Sequence, residues 1–250
     1  CVLAVGIFDG LHLGHRKVLE CAKKTARAAG ALAGALTFDP HPSRVISTGR
    51  PPVDMIFPPE QRAGHFLEAG LGAVFFKRFD RDFADLPPEG FAGFLGEKFP
   101  NLRGIVTGEN FLFGRGAVGD SALLRRICRE SGWKYRAVGG LFRDGERVSS
   151  TRLRRCLSEG DMPEYARLAG GSYAAEGAVE GGKRLGREIG FPTLNLPWEP
   201  ECRPPYGVYA ARVLEGGRAF EGVANYGVAP SAGELARPVV EANLFETPDF

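Results

Sequence analysis

The sequence predicts an α/β domain with a doubly wound parallel sheet, followed by a mostly β domain with an antiparallel barrel or sandwich. Through the first 140 residues, short apolar runs alternate with longer helical patterns, which is typical of parallel strands joined by helices on both faces of a sheet. After residue 172 the runs are short, with period-two or β-branched character, and Gly and Pro separate them. A chain of 250 residues is long enough for two domains. We place them at residues 1–160 and 161–250.

The pattern predicts each element in order. Five apolar runs are predicted as the buried strands of the first domain, at residues 1–7, 34–38, 73–76, 104–107 and 135–138. Helices are predicted between them, at residues 16–29, 59–69, 88–99 and 120–131. A polar helix follows at residues 152–169, and the strands of the second domain are predicted at 173–179, 207–213, 220–226 and 239–245. Ligands of parallel sheets bind beyond the carboxyl ends of the strands, so the loops after strands should carry the function.

Charge and composition favour small-molecule partners. Lys and Arg total 32 against 30 Asp and Glu, and this net charge of +2 gives no case for capture of nucleic acid or acidic lipid. No apolar stretch approaches the ~18 residues of a membrane helix. The five scattered cysteines form no CxxC pair and favour a reducing, cytoplasmic location. The chain starts without Met inside a predicted strand and stops at Phe250 without a cap, so we expect both ends to be truncated.

The turn after the first predicted strand has the features of a phosphate site. It has the sequence GIFDGLHLGH at residues 6–15, and a helix is expected to begin near Gly14. Its glycines permit close backbone approach, and a helix N-terminus offers free N–H groups and partial positive charge to an anion. His12 and His15 are three residues apart and would point to one side as two donors to a phosphate. The alternative is that the glycines only make a turn and the histidines lie on the surface.

This turn resembles the HxGH signature of Rossmann-like α/β nucleotidyltransferases, which transfer a nucleotidyl group and release pyrophosphate. Three further blocks follow predicted strands: TFDPHP at 37–42, GENFLFG at 108–114 and RVSSTRLR at 147–154. In order and spacing they resemble the bacterial bifunctional riboflavin kinase/FMN adenylyltransferases, or FAD synthetases, over nearly the whole chain. Taken without the resemblance, His41 is as well explained as a loop residue locked between prolines. A helix cap would explain the hydroxyls at 149–151 but not the arginines that flank them.

The resemblance implies roles for the first site. His12 and His15 would bind and stabilise the ATP phosphates, and Asp39 and Asn110 would lie in the flavin and nucleotide pocket. The other implied ATP-binding residues are Gly6, Phe8, Asp9, Gly10, Gly14, Arg147, Ser150 and Thr151, with Arg154 as a further catalytic group. Hydroxyls that open a helix, together with guanidinium groups, form a polydentate clamp for a triphosphate. Ile7 stands where the family often has a polar residue.

A second constellation lies at residues 179–195, VEGGKRLGREIGFPTLN, where glycines and basic residues alternate without Walker A spacing. A flexible basic loop beside a hydroxyl and an amide can fold over a triphosphate and help place Mg²⁺. The alternative is an ordinary β-hairpin loop. Further along, Glu241 interrupts an apolar strand and is the best acid/base candidate, although a Glu on a half-exposed strand is often only solvated.

This segment resembles the riboflavin kinase signature GRxxGFPTxN. The resemblance implies that Thr193 and Asn195 coordinate Mg²⁺-ATP and that Glu241 is the catalytic base. It also implies an ATP-binding loop made by Gly182, Lys183, Gly186, Arg187 and Gly190. Leu194 replaces the usual Ala and Asn243 the usual His, and the family continues beyond residue 250 with further strands and a helix that shape the flavin pocket.

The motifs together predict an enzyme with two sites. The β domain would phosphorylate riboflavin to FMN with Mg²⁺-ATP, and the α/β domain would transfer the adenylyl group of a second ATP to FMN, giving FAD and pyrophosphate. One alternative is a nucleotidyltransferase acting on another acceptor, which the second constellation disfavours. Another is a flavin-binding regulator without catalysis, which the retained His12, His15 and Glu241 disfavour. The sequence gives no indication of the oligomeric state.

Overall fold

The structure is a computed structural model that describes residues 1–46, 49, 51–180, 193–228 and 237–245. It divides into two compact units. The first contains Cys1–Arg155 and Ala166–Gly171, and the second contains Cys156–Tyr165 and Ser172–Phe250. Within the described residues, no helix is both long enough and apolar enough to cross a lipid bilayer.

The first unit is built on a five-stranded parallel sheet, as predicted. Its strands are β1 Val2–Val5, β2 Ala33–Asp39, β3 Ala73–Arg78, β4 Gly104–Gly108 and β5 Lys134–Val138. Within the described residues the α-helices are α1 Leu13–Ala28, α2 Pro59–Glu68, α3 Arg81–Ala84, α4 Pro88–Lys98, α5 Ser121–Glu130, α6 Ser150–Glu159 and α7 Met162–Ala169. The strand order is β3-β2-β1-β4-β5. The chain direction across the sheet therefore reverses between β1 and β4, and a ligand crevice is expected at their carboxyl ends.

The central strands of the sheet are buried on both faces because helices cover them. All four residues of β1 are inaccessible to solvent, and every residue of β2 except Asp39 is buried. Helix α1 turns Val18, Leu19 and Ala22 toward the sheet and exposes its polar face. The buried strands therefore hold the loops at their carboxyl ends in fixed positions.

The prediction of one helix at residues 152–169 is wrong, because two helices occupy this stretch. Gly160 has a positive φ of 74°, a left-handed conformation that ends α6 at little cost for glycine. Asp161 then accepts a hydrogen bond at Oδ1 from the backbone N–H of Glu164 and caps α7. The glycine therefore ends the first helix, and the aspartate directly after it begins the second.

A short hairpin that the sequence analysis missed precedes α6. Strands β6 Phe142–Arg143 and β7 Glu146–Arg147 pair through a turn in which Asp144 and Gly145 both have positive φ. An Asp-Gly turn of this kind suits a two-residue hairpin. Arg152, which is buried, donates to the carbonyl oxygens of Arg143 and Glu146 at 3.0 and 3.3 Å. The hairpin thus fixes the chain that leads from Arg147 into α6.

The second unit contains a four-stranded antiparallel sheet, which confirms a mostly β domain. Its strands are β8 Thr193–Pro197, β9 Gly207–Glu215, β10 Arg218–Val228 and β11 Pro238–Leu244, in the order β8-β11-β10-β9. The predicted strand at 173–179 is wrong: this segment is irregular, and an isolated bridge lies just after it, where the Glu180 N–H donates to the Asn195 carbonyl at 2.8 Å. Its run of Ala and Gly has little β propensity, and Tyr173 is held instead by its ring contact with Trp198.

Candidate active sites

The start of α1 places two histidines together in the crevice beside β1. His12 is the N-cap, and its Nδ1 accepts a hydrogen bond of 3.1 Å from the backbone N–H of His15. A neutral ring that accepts at Nδ1 carries its proton on Nε2, so Nε2–H is free to donate. The two rings stack, with centroids 3.6 Å apart and an interplanar angle of 17°. The structure thus brings His12 and His15 to one side of the helix N-terminus.

Both rings are electrically neutral near pH 7. Burial lowers the pKa of His12 to about 4, and burial together with His12 lowers the pKa of His15 well below its ordinary value. Within the described residues, the buried Nδ1 of His15 has no hydrogen-bond partner. The site therefore offers neutral N–H groups and a helix N-terminus to an anion, rather than two fixed cations.

These buried histidines make stability depend on pH. The pKa of His12 is lower in the folded protein than in the unfolded chain, so between pH 6.5 and about 4 the unfolded state binds more protons. We expect the free energy of unfolding to fall as the pH decreases through this window, and to fall less in His12→Asn. Urea unfolding at pH 7 and at about pH 5 measures the difference. His65→Asn, on α2, is the control, and parallel losses in His12→Asn and the parent protein would contradict the expectation.

Asp9 is an internal anchor. Its carboxylate is 1% exposed and accepts hydrogen bonds from the backbone N–H groups of Ile56, at 3.0 Å, and Phe57, at 3.4 Å. Arg154 pairs with it at 2.5 Å, and Ser150 Oγ donates to its carbonyl oxygen at 2.8 Å. Burial raises the pKa of Asp9 although Arg154 opposes that shift. Asp9 therefore joins the turn after β1 to α6 and to the segment before α2.

The predicted triphosphate residues divide into two groups. Ser150 and Arg154 contact Asp9 in the turn after β1, and Arg154 Nε also donates to the Asp54 carbonyl, in the segment before α2, at 2.7 Å. Arg147 lies beside β4 instead, 3.4 Å from Glu109 Oε1, and the same oxygen accepts from the Gly140 N–H at 2.8 Å. In these contacts Arg154 holds the backbone in place, whereas Arg147 is half-exposed.

The other three predicted residues lie in α6, just after β4 and at the end of β2. Thr151 is exposed in the first turn of α6, and Asn110 is exposed just after β4. Asp39 ends β2, and Oδ1 of its carboxylate accepts from Nη2 of Arg62 at 2.9 Å. Sequence reasoning missed Glu109 and Arg62. Glu109 could have been found as the acidic residue just before Asn110, but Arg62 falls in a helical pattern where nothing distinguishes it from a solvated arginine.

His41 is held by its own loop. Its Nδ1 accepts from the Ser43 N–H at 3.1 Å and lies 2.8 Å from Ser43 Oγ. Burial lowers the pKa of His41 to about 4, and the nearby Arg154, Arg62 and Arg44 add to this effect. These contacts fit the locked loop residue that the flanking prolines suggest.

Two glycines of the first motif leave room for neighbouring side chains. A Cβ on Gly10, which has a φ of 75°, would lie 2.7 Å from side-chain carbons of Ile56 and Leu153. A Cβ on Gly14 would lie 3.0 Å from two atoms of the His12 ring. The ring of Phe8 packs edge-on against the ring of His15, with 5.3 Å between the centroids, and supports it.

We expect Gly14→Ala to displace the His12 ring and lower the rate of the reaction at this site by at least about tenfold, since small misplacements of catalytic groups are costly. The variant should fold normally because Gly14 has no positive φ. Gly93→Ala in α4 is the control: its Cβ meets nothing within 4 Å, so it should leave the rate unchanged and stabilise the helix slightly. Steady-state product formation measures both. A Gly14→Ala rate equal to that of the parent would contradict the role given to the His12 position.

The second candidate site is one face of the antiparallel sheet. Asn195 on β8 lies directly opposite Glu241 on β11, and Glu241 lies opposite Asn225 on β10. Thr193 lies opposite Asn243, two residues further along the same strands. Directly opposed residues, and residues two apart on one strand, point to the same face of a sheet. The structure therefore places the predicted residues Thr193, Asn195 and Glu241 on one face.

That face is the open one. Along β10 the alternate residues Phe220, Ala224 and Tyr226 are buried, whereas Val223 and Asn225 are exposed. The apolar face forms the core of the unit, and the polar face carries hydroxyl, amide and carboxylate groups at the sheet surface. Gly182, Lys183, Gly186, Arg187 and Gly190 lie outside the described residues. Glu180, just before them, pairs with Arg237.

These two sites define the class of protein. An α/β domain of the nucleotide-binding type, with a histidine-capped helix at the switch point of its sheet, is followed by a β domain whose open face carries carboxylate and amide groups. Residues 1–152 match the FAD synthetase family, and residues 169–250 match the riboflavin kinase family. The chain belongs to the family of bifunctional riboflavin kinase/FMN adenylyltransferases, which confirms the resemblance drawn from the motifs.

Curated relatives carry that name. The chain is 34% identical to the bifunctional riboflavin kinase/FMN adenylyltransferase of Escherichia coli K12 over 247 residues, which are 98% of this chain and 78% of the relative. It is 33% identical to the Bacillus subtilis enzyme of the same name, again over 98% of this chain and 78% of the relative. A crystal structure described as a macrolide-efflux protein from Streptococcus pneumoniae is also similar, with 25% identity and a TM-score of 0.83, over 100% of this chain and 81% of that one. This last likeness supports the fold.

Proposed function

We propose that this protein makes FAD in two steps: it phosphorylates riboflavin to FMN in the unit that carries Glu241, and it adenylylates FMN in the unit that carries His12. The observation that carries the proposal is the arrangement at the start of α1. There a neutral His12 keeps Nε2–H free, stacks on His15 and caps a helix at the switch point of a parallel sheet. This is a preorganised donor set for phosphate oxygens.

In the adenylylation step, a phosphate oxygen of FMN attacks the α-phosphorus of ATP. The bond from the α-phosphorus to the oxygen that bridges the α- and β-phosphates breaks, and pyrophosphate leaves with the electron pair. His12 and His15 donate to the phosphate oxygens on which charge develops, and Arg147 with Thr151 holds the triphosphate. No covalent enzyme intermediate is needed, because FMN phosphate is already ionised and orientation supplies much of the rate.

The other members of the first site support these groups. Asp9, Ser150 and Arg154 hold the turn after β1 in place through the contacts described above. Gly6 and Gly14 would let the phosphates approach the backbone, whereas Phe8 and Gly10 support the turn by packing inside it. Asp39 and Asn110 would contact the parts of ATP and FMN away from the reacting phosphates. We assign this site to residues 1–160.

In the phosphorylation step, the primary hydroxyl of riboflavin attacks the γ-phosphorus of ATP and ADP leaves. Glu241 accepts the hydroxyl proton as the new O–P bond forms. Thr193 and Asn195 present hydroxyl and amide oxygens on the same face as Glu241, and Gly182, Lys183, Gly186, Arg187 and Gly190 would cover the triphosphate. We assign this site to residues 161–250.

The second site suits Mg²⁺. Magnesium prefers oxygen ligands, keeps several waters and binds phosphate together with one or two protein groups. Thr193 and Asn195 provide such oxygens, with the Glu241 carboxylate on the neighbouring strand. A bound Mg²⁺ would neutralise charge on the phosphates. No nucleic acid partner is proposed at a net charge of +2, and five cysteines without a disulfide favour the cytoplasm.

Position-specific labelling tests both steps. With riboflavin and γ-labelled ATP, label should enter FMN and stay in FAD. With α-labelled ATP, label should enter FAD and not FMN. Label from the α-position in FMN, or loss of the γ-label when FAD forms, would contradict the proposed bond changes.

A further inference from the structure

Arg62 on α2 is completely buried and reaches the ends of two strands. Nη2 donates to Asp39 Oδ1 at 2.9 Å, and Nη1 reaches the carbonyl oxygens of Ile7 and Phe38 at 3.4 and 3.3 Å. Nη1 also lies 3.4 Å from Thr37 Oγ1. One guanidinium therefore links the carboxyl end of β2 to the turn after β1, where His12 begins α1.

Burying a guanidinium group costs free energy, which its interaction partners have to offset. Removing such a cation from water costs several kcal/mol, which good geometry and a counter-charge must offset. Its salt-bridge partner within the described residues is Asp39, and its Nε has no partner there. The Phe76 ring, 5.2 Å away, adds a favourable contact with the cation. An apolar side chain could fill the same space without this cost, so packing alone does not account for Arg62.

Asp39 is half open to solvent at the ligand edge. Its side chain is 42% exposed although its partner Arg62 is 0% exposed. Arg62 holds Oδ1, and no described residue donates to Oδ2. A carboxylate fixed by a buried cation in this way is a rigid acceptor with one free oxygen, suited to a hydroxyl or N–H donor of a ligand.

The position of Asp39 indicates which substrate it meets. Strand β2 flanks β1 on one side and β4 flanks it on the other. Arg147 and Glu109 lie on the β4 side. With the triphosphate clamped there, the β2 side is left for the acceptor. FMN carries ribityl hydroxyls and a ring N–H, which are the donors that a carboxylate recognises.

We propose that Arg62 is a positioning residue for FMN: it holds the Asp39 carboxylate in the orientation that accepts hydrogen bonds from the flavin substrate. This inference rests on the proposed adenylylation of FMN. It predicts that Arg62 acts through Asp39, which a purely structural role for Arg62 does not require.

A double-mutant cycle tests the coupling. Asp39→Asn, Arg62→Lys and the double variant are compared for FAD formation from FMN, with KM for FMN, KM for ATP and kcat measured separately. We expect each single variant to raise KM for FMN by about tenfold or more, the effect of losing a hydrogen bond to a charged group, with KM for ATP unchanged. The double variant should be no worse than Asp39→Asn, because both changes remove the same oriented acceptor.

Thr37→Val is the matched control. Thr37 is buried and contacts the same guanidinium, but its hydroxyl faces Ile7 rather than the ligand edge. This variant should lower the melting temperature and leave KM for FMN unchanged. Should Arg62→Lys fail to fold, Asp39→Glu moves the carboxylate by one methylene while keeping the ion pair, and it should raise KM for FMN in a stable protein.

The outcomes separate this inference from the proposed function. If the parent protein makes no FAD from FMN, both fail together. If it makes FAD but the two changes are additive, or Thr37→Val raises KM for FMN as much as Arg62→Lys does, only the role of Arg62 is overturned. An unchanged KM for FMN in Arg62→Lys, or in Asp39→Glu where that replaces it, also overturns it.

Discussion

Replacement of His12 by alanine should slow FAD formation from FMN strongly while FMN formation from riboflavin continues. His12 provides an N–H donor at the start of α1, and loss of one preorganised donor to a transition state lowers kcat by about a hundredfold to a thousandfold. The kinase residues Thr193, Asn195 and Glu241 lie on strands of the other unit, so phosphorylation should proceed at the parent rate. Separate assays that start from riboflavin and from FMN measure the two rates.

A folding defect must be separated from this effect, because His12 also caps α1. Loss of an N-cap destabilises a helix by about 1 kcal/mol, which a melting curve detects. His12→Asn keeps a good N-cap residue and should show the same loss of FAD formation with a smaller change in melting temperature. His65→Ala, on α2, should retain adenylylation. Loss of both activities in His12→Ala would contradict the assignment of two separate sites.

Replacement of Glu241 by glutamine should produce the opposite pattern. Glutamine keeps the size of the side chain but cannot accept the hydroxyl proton, so FMN formation should fall by about a hundredfold to ten-thousandfold. FAD formation from added FMN should continue at the parent rate, because His12 and His15 belong to the other unit. The same pair of assays measures this variant.

Glu221→Gln is the matched control for Glu241. Glu221 lies on β10 four residues before Asn225, which is opposite Glu241, so both glutamates are on the open face of the sheet. Its carboxylate is engaged with Arg212 at 2.6 Å. Phosphorylation by Glu221→Gln should be unchanged. Equal losses in the two variants would show that the assay reports the charge of the face and not a proton acceptor at Glu241.

The parallel sheet could be predicted from the sequence because its signals are local. The central strands are short apolar runs, and the amphipathic helices between strands have a 3.6-residue pattern, as in α1 with Val18, Leu19 and Ala22 on one side. Two of the errors fell at turns that one or two residues decide. Gly160 splits a continuous helical pattern, and the Asp144-Gly145 turn makes a hairpin from two strands of two residues each. Such strands are too short for a periodic signal.

The site was predictable only where the chain itself brings residues together. His12 and His15 are one helical turn apart, and the strand ends that carry Asp39 and Asn110 meet one edge of a parallel sheet. Arg62 is different, because its contacts are with residues 23 to 55 positions away in sequence. The pairing of Asp9 with Arg154 spans 145 positions. Long-range side-chain pairs depend on packing that no local pattern encodes.

The most direct test of two sites in one chain is chromatographic separation of the flavins formed with ATP and Mg²⁺, once from riboflavin and once from FMN. FAD should form from both, and FMN should appear before FAD when riboflavin is the starting flavin. FAD from FMN alone would contradict the kinase assignment, and no flavin product from either would contradict the account as a whole.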